Sequence, residues 1–399
     1  MRRLSRRALL TGGAAVGAAL AAPARKGTRI DSPPEEIEDP LTGRPLFRLT
    51  DPSVTHNTPH YHHRFLARDN SFLLMAADHS GSRQIYRYEF RRERMVQLSE
   101  GSDVHPYSPT LDGRGRNIFY MQGDWLLQAS ARSGRAMKLY QASEDWRFTG
   151  HLSVTEDGRR AAFVEMRSSD VVDGYEAQYE RKPLCRLRVI ELREKKEART
   201  IVEEEAWLAY PQFRPGRTDL LYAHEGPWHR VDGRIRTVSL DGSGQRDLKP
   251  REGAEGRGHE YWTFDGSQIR CVHYPDETGR GATVRAIDPE TGQEGVLARC
   301  SAYGWLNDNG DGTAIIGASR RLSGPNIFAL FVKIGRELTL CEHGSSFKEC
   351  PLPGGGVDPL CAAPEPFFSS DSQWVYFSSD REGETAIYRM KVEDLAAET

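Results

Sequence analysis

The sequence predicts an all-β protein: a seven-bladed β-propeller forming a single domain, its ring closed by a strand from the amino-terminal part of the chain. Three observations predict it. A strand–turn–strand pattern recurs about every 40 residues, a period at which self-similarity marks propellers and solenoids. Long helical periodicity is absent. Finally, 43–50 reads as an outer strand with no unit of its own, while the last unit, ending near Val392, lacks an outer strand.

Each unit opens with an aromatic-containing strand, turns through Asp, Gly or Asn, climbs an apolar strand and continues into two alternating strands. The last copy shows this most clearly, in 366–372, 374–380 and 385–390, and the first copy matches it in 65–70, 72–78 and 84–88. Others begin near Tyr107, His151, Tyr210, Glu260 and Tyr303, which makes seven. Radially arranged sheets bury each face against the next blade and protect their edges. The charged run 191–197 reads as an exposed hairpin rather than a helix.

Upstream of the propeller (43–399), residues 25–42 read as a polar Pro/Glu-rich linker and 1–24 as an export signal. Ser5-Arg6-Arg7 followed by Leu9-Leu10 is of the twin-arginine type. The Gly/Ala-rich apolar run leads to a small-residue exit near Ala22 or Ala24, and it is shorter than the ~20 residues a spanning helix needs. The expected location is therefore periplasmic or secreted, without stable membrane insertion. Twin-arginine export moves folded proteins and hints at a cofactor inserted beforehand.

Composition narrows the function. With 54 Lys+Arg against 57 Asp+Glu and a formal charge of -3, no global basic field points to nucleic acid. An anionic substrate would have to be caught by local arginines. The six cysteines contain no CxxC pair and are too sparse for a disulfide scaffold. Export is compatible with one bridge within Cys341, Cys350 and Cys361. No Gly-x-Ser-x-Gly elbow is present, and oligomeric state is not legible.

The densest chemistry lies between Tyr210 and Trp262, where Arg214, the tetrad His224-Glu225-Gly226-Pro227 and the tetrad His259-Glu260-Tyr261-Trp262 fall in two successive repeats. A guanidinium can hold a carboxylate in a bidentate fork. A histidine can take a proton near neutral pH or bind a metal through a neutral ring nitrogen. Propeller loops and inner strands converge on the channel mouth, so these three residues are expected in one cleft. Singly, each has a structural role open to it: a solvated turn, a core histidine, a strand cap.

His56, His60, His62 and His63 form a second group, in which strand alternation would put His60 and His62 on one face. Such a strand either lines the channel, or its imidazoles ligate a metal or bind substrate. His105, His151 and His343 are placed to meet sugar hydroxyls or backbone. Trp125, Trp146, Trp207 and Trp305 read as packing, whereas Trp228 can stack on a sugar ring.

The segments 210–215, 223–227 and 259–262 resemble the corresponding motifs of oligogalacturonate lyases, seven-bladed propellers acting on short pectin fragments. The likeness extends to His56, 144–146, 183–187, 206–208 and 341–346. It implies β-elimination: the C5 proton of a uronate is removed and the C4 oxygen leaves, giving a 4,5-unsaturated sugar, with the carboxylate neutralised to stabilise the enolate. It further implies His224 as base, Arg214 as carboxylate clamp and His259 as ligand of a divalent metal, typically manganese; His56, Trp228 and His343 are the expected substrate contacts beside them. One part departs from the family. Where the family reads His-Pro-His-Pro this chain reads Ala363-Pro364-Glu365-Pro366, and the expected Gln falls near Leu360. Glu365 offers a carboxylate there, since manganese and calcium accept oxygen. The alternatives are a non-catalytic propeller of the TolB kind and a lyase for another acidic oligosaccharide.

Overall fold

The computed structural model describes residues 25–193, 197–301, 303–319, 324–351, 357–358 and 360–392. The stretch 1–24, read above as an export signal, lies outside them, as does the side chain of Cys350. Among the described residues the strands form seven antiparallel sheets of four or five strands, beside a two-stranded ribbon. Each sheet is a meander from an inner strand outward. Consecutive sheets touch, and the third strand of the last blade, Ala386–Lys391, meets the inner strand of the first, His56–Asn57. This is the seven-bladed propeller expected from the repeat.

Closure follows the expected route. Pro45–Arg48 pairs antiparallel with Ala386–Lys391, placing Leu46 opposite Met390, and both are buried. The stretch 25–42, however, is not a linker. Arg29–Asp31 adds a fifth strand to blade one against Arg94–Gln97, and Glu35–Glu38 adds one to blade seven against Pro45–Arg48. An outer strand carries open N–H and C=O groups, and short charged strands cover it. With little to bury, they carry no apolar pattern that a reader of the sequence would recognise.

The repeat's two strongest words have clear physical jobs. Tyr86 and Tyr388, from the Ile-Tyr pairs of third strands, are fully buried. In the hairpins between first and second strands an Asp carboxylate accepts the N–H two residues on, as at Ser71 (3.1 Å), Ser267 (3.0 Å), Thr313 (3.0 Å) and Gln373 (3.1 Å), which fixes the turn. Those hairpins lie on the face opposite the one where the chain enters each blade. Leu184–Glu191 and Arg199–Glu205 pair as the expected hairpin, with 194–196 outside the described residues. A short helix, Tyr175–Arg181, interrupts the connection between the second and third strands of blade three. Cys341 is free and buried, and Cys361 is disulfide-bonded.

Candidate active site

The inner strands lose their regular register at one level of the channel. In blades three to six the breaks fall between Phe148 and Leu152, Ala209 and Gln212, Gly258 and Tyr261, and Gly304 and Asn307. There the backbone turns left-handed, at Gly150 (φ 88), Tyr210 (φ 49), His259 (φ 56) and Trp305 (φ 54), and Glu365 (φ 37) does the same just before the inner strand of blade seven. A bulge bends the strand and re-aims a side chain. A left-handed non-glycine costs ~1 kcal/mol or more, and such strain clusters at functional sites. At Gly150 a Cβ would lie 2.0 Å from the His105 ring. Glycine leaves the space that this imidazole fills.

Blade one is interrupted differently. Its inner strand, His56–Asn57, resumes only at the Leu66–Leu73 bridge, and between them the chain leaves as a turn closed by His63 N–H on His60 O (2.8 Å). His60 and His62 are thus not alternate residues of a strand, as expected, but rings on a turn pushed into the channel. Ring centroids lie 4.9 Å apart for His60 and His151, 5.7 Å for His60 and His62, 4.5 Å for His62 and His63, and 4.4 Å for His151 and Tyr210.

These imidazoles are neutral at neutral pH. Burial, then the neighbouring rings, pushes His60 and His62 well below the usual range and His63 to about 3. Burial, then His105 and Arg234, takes His151 to about 3. His63 Nδ1–H donates to Pro109 O (3.2 Å). His151 Nδ1 lies 3.2 Å from Thr149 Oγ1, and with the Thr149 hydroxyl given to Val164 O (3.4 Å) it is Nδ1–H that donates. Each ring therefore keeps its lone pair on Nε2. Both nitrogens of His62 and Nε2 of His63 are buried without a protein hydrogen bond among the described residues, leaving polar capacity for a ligand.

Beside this wall stands one arginine that the sequence reading passed over. Arg234, after Gly233 in the lead-in to Ile235–Ser239, donates from Nε to Glu260 Oε2 (2.9 Å) and from Nη2 to Glu225 Oε2 (2.9 Å). Its Cζ is 5.9 Å from the Tyr210 ring centroid. Glu225 also accepts from Tyr175 Oη and from Gly226 N. The Glu260 carbonyl accepts from Gln212 Nε2 (2.9 Å) and Tyr61 Oη (3.3 Å). Burial opposes the charge on Arg234, but Glu225 and Glu260 outweigh it and hold the guanidinium proton more firmly than usual. The two His-Glu words thus meet through their glutamates. A cue was available, since two buried carboxylates need a cation and Arg234 lies between Glu225 and Glu260 in the chain.

Arg214 and His224 do not join this site. Arg214 bonds Gly266 O (2.8 Å), Asp219 (3.0 Å) and Glu290 (2.6 Å) at the hairpin end of blade four. His224 ends the strand Asp219–His224, which spans about 17 Å at ~3.3 Å per step, and so sits at the opposite end of the blade. Its Nδ1 faces Arg236 Nη2 (3.5 Å), and Arg236 pairs with Glu204 of blade three (2.7 Å), so it occupies the crease between blades. Burial, then Arg236, lowers its pKa. The single-cleft expectation fails because the turn after a first strand and the end of the second lie at opposite faces of an antiparallel pair.

His259 does face the channel, its ring 6.1 Å from Tyr61 and 5.9 Å from Trp305. Its Nδ1 accepts the Trp305 backbone N–H (3.0 Å), so the neutral ring carries its hydrogen on Nε2. Glu365 is buried and acts electrostatically on Tyr210. The three expected substrate contacts are engaged in the framework. His56 is held by Val54 O (2.7 Å) and His79 Nε2 (3.0 Å), and His343 by Ser319 O (3.2 Å) and Ser345 N (2.9 Å). Trp228 packs on Tyr274, centroids 4.8 Å apart.

Comparison with known proteins agrees with this architecture. A family model described as oligogalacturonate lyase matches residues 24–396. The oligogalacturonide lyase of Pectobacterium atrosepticum is 28% identical over 390 residues, covering 92% of this chain and 98% of that protein. The oligogalacturonate lyase of Dickeya dadantii is 27% identical over 392 residues with the same coverage. A solved oligogalacturonate lyase in complex with manganese superposes with a TM-score of 0.86 at 26% identity, covering 92% of this chain and 98% of that one.

Proposed function

The chain belongs to the oligogalacturonate lyase family, and from that premise we propose that it cleaves short galacturonate oligosaccharides by β-elimination at the channel mouth around Arg234. The observation that carries this reading is the Arg234–Glu225–Glu260 cluster beside Tyr210, flanked by His151 on blade three and His259 on blade five. The roles that the sequence suggested for Arg214 and His224 pass to these residues.

Arg234, with Nη1 outside its two ion pairs, faces the C6 carboxylate and offsets the charge that grows there as C5 loses its proton. In a galacturonate ring H5 and O4 are anti, so acceptor and donor belong on opposite faces of the sugar. His151 Nε2 takes H5 on one side, and the C5–H electrons form the C4–C5 double bond. The C4–O4 bond breaks with its electrons on oxygen, and His259 Nε2–H protonates that oxygen. His151 is a weak base in the free protein, but a substrate carboxylate arriving beside it favours the charged form and raises its pKa.

Manganese enters no step. The side chains of Ala363 and Leu360 have no donor atom, the Nδ1 of His259 is taken by Trp305 N–H, and among the described residues no three His, Cys, Asp or Glu side chains gather as a metal site. The residues present do not fit the manganese of the solved relative, and Glu365 alone does not restore a site.

We further propose that 1–24 acts as a twin-arginine leader and sends the enzyme to the periplasm or outside the cell. Replacing Arg6 and Arg7 by Lys should leave the enzyme in the cytoplasmic fraction. The reading itself is tested by ultraviolet absorbance of the unsaturated product from di- and trigalacturonate, beside other uronate oligosaccharides. No new absorbance from any of them sinks it, and absorbance that survives Arg234→Gln removes the arginine from the site.

A further inference from the structure

The helix Tyr175–Arg181 leans over blade four and is tied there at several points. Arg230 pairs with Glu176 and Glu180, and Tyr179 Oη donates to Arg230 O, while Gln178 Nε2 holds the helix to Asp170 O of its own blade. The Tyr179 ring lies where a Cβ on Gly226 would be, at 2.3 Å, and Gly226 has φ 145. Only a glycine lets the helix seat this closely.

The seat fixes Tyr175. Its hydroxyl donates to Glu225, the carboxylate that grips Arg234, yet the residue as a whole is 44% exposed. The polar end is tucked in and the ring is left at the surface. Trp207 braces that ring, centroids 5.3 Å apart, and its carbonyl accepts the Glu225 N–H (2.7 Å). Of the large exposed apolar side chains among the described residues, Tyr175 and Phe264 are the aromatic ones, and Phe264 is in a hairpin on the opposite face. Tyr175 is therefore an aromatic surface linked through the Glu225 carboxylate to the guanidinium of the proposed site. A tyrosine with a wet ring and a buried hydroxyl suits an amphipathic ligand.

The geometry points to Tyr175 as the platform of a second sugar subsite, on which the pyranose ring next to the one held by Arg234 packs its C–H face, while the hydroxyl positions Arg234 through Glu225. The subsite belongs to the lyase reading given above and takes a uronate ring of the same oligosaccharide. A disaccharide held across the scissile bond need not reach it, whereas a trisaccharide does.

The test is a KM-against-kcat split on di- and trigalacturonate with full-length protein. Tyr175→Ala should raise KM for the trimer roughly tenfold, the scale of a lost aromatic contact, and leave the dimer within about twofold. Tyr175→Phe keeps the ring, so KM should hold for both substrates while kcat falls roughly tenfold, as for a lost hydrogen bond to a charged group. Thermal unfolding reports whether either variant is folded. Equal KM changes for dimer and trimer in Tyr175→Ala, or an unchanged kcat in Tyr175→Phe, overturn the proposal. If the wild type turns over no uronate, the lyase reading has failed by itself, and trigalacturonate quenching of tryptophan fluorescence decides the subsite. Quenching lost in Tyr175→Ala supports it, and quenching equal in both proteins, or absent from both, overturns it.

Discussion

Replacing Arg234 by Met removes the one cation between two buried carboxylates. The side chains of Arg234, Glu225 and Glu260 are 11%, 6% and 0% exposed. Breaking a buried pair by deleting one partner costs about 3–5 kcal/mol, because the other charge is left uncompensated. At ~2.1 cal/mol/K per residue, a folded chain of this size has an unfolding entropy near 0.8 kcal/mol/K, so Tm should fall by ~4–6 °C at pH 7. The pH dependence gives the sharper test. In the variant the two buried carboxylates stand uncompensated, and acid relieves that cost by neutralising them. The gap between wild type and variant should therefore shrink from pH 7 toward pH 5. Adding Glu225→Gln and Glu260→Gln to Arg234→Met should recover most of the Tm and none of the turnover. Differential scanning calorimetry at three pH values, with product absorbance alongside, measures both. A gap that is absent at pH 7 or constant with pH refutes the buried-cluster argument.

Other perturbations separate the remaining assignments. His259→Ala should lower turnover by ~10²–10⁴-fold, the range for a lost proton-transfer group, while Arg214→Ala and His224→Ala stay within about threefold in the product assay. Gly150→Ala should destabilise by ~1–3 kcal/mol, since its Cβ meets the His105 ring and the residue sits at φ 88. Calorimetry measures this, and an imidazole NMR shift reports the displaced ring. Acid should weaken the fold well above the carboxylate range, because His56, His63 and His151 titrate near 3 when folded and near 6.5 when unfolded. The unfolded state binds more protons between those values, so stability is lost as pH falls below about 6.5. These three alone amount to ~4 kcal/mol between pH 7 and 5.5, or ~5 °C in Tm. A flat Tm over that interval contradicts their burial as neutral rings.

The propeller was legible in the sequence because its signals are local. Asp turns, Ile-Tyr words and alternating strands recur within each unit, and the surplus strand at 45–48 announces its own closure. The edge strands at 29–31 and 35–38 were not legible, since a strand covering another strand's edge buries too little to leave a pattern. In the proposed site, the word around 224 reads one residue off, while the word around 259 brings both His259 and Glu260 to the channel. His224 and Glu225 are neighbours in the chain, and only strand direction and pleat decide that the glutamate turns to Arg234 and the histidine to Arg236.

The sequence by itself therefore determined the architecture, the number of blades, the family and the stretch of chain that holds the proposed site. Tertiary structure alone decided which side chains meet there. A bulge in the inner strands, a turn carrying His60 to His63 into the channel and a helix from blade three laid over blade four each redirect side chains by long-range packing. Hydrophobic period and turn chemistry are written residue by residue, whereas the convergence of Arg234, His259, His151 and Tyr175 exists only once the ring has closed.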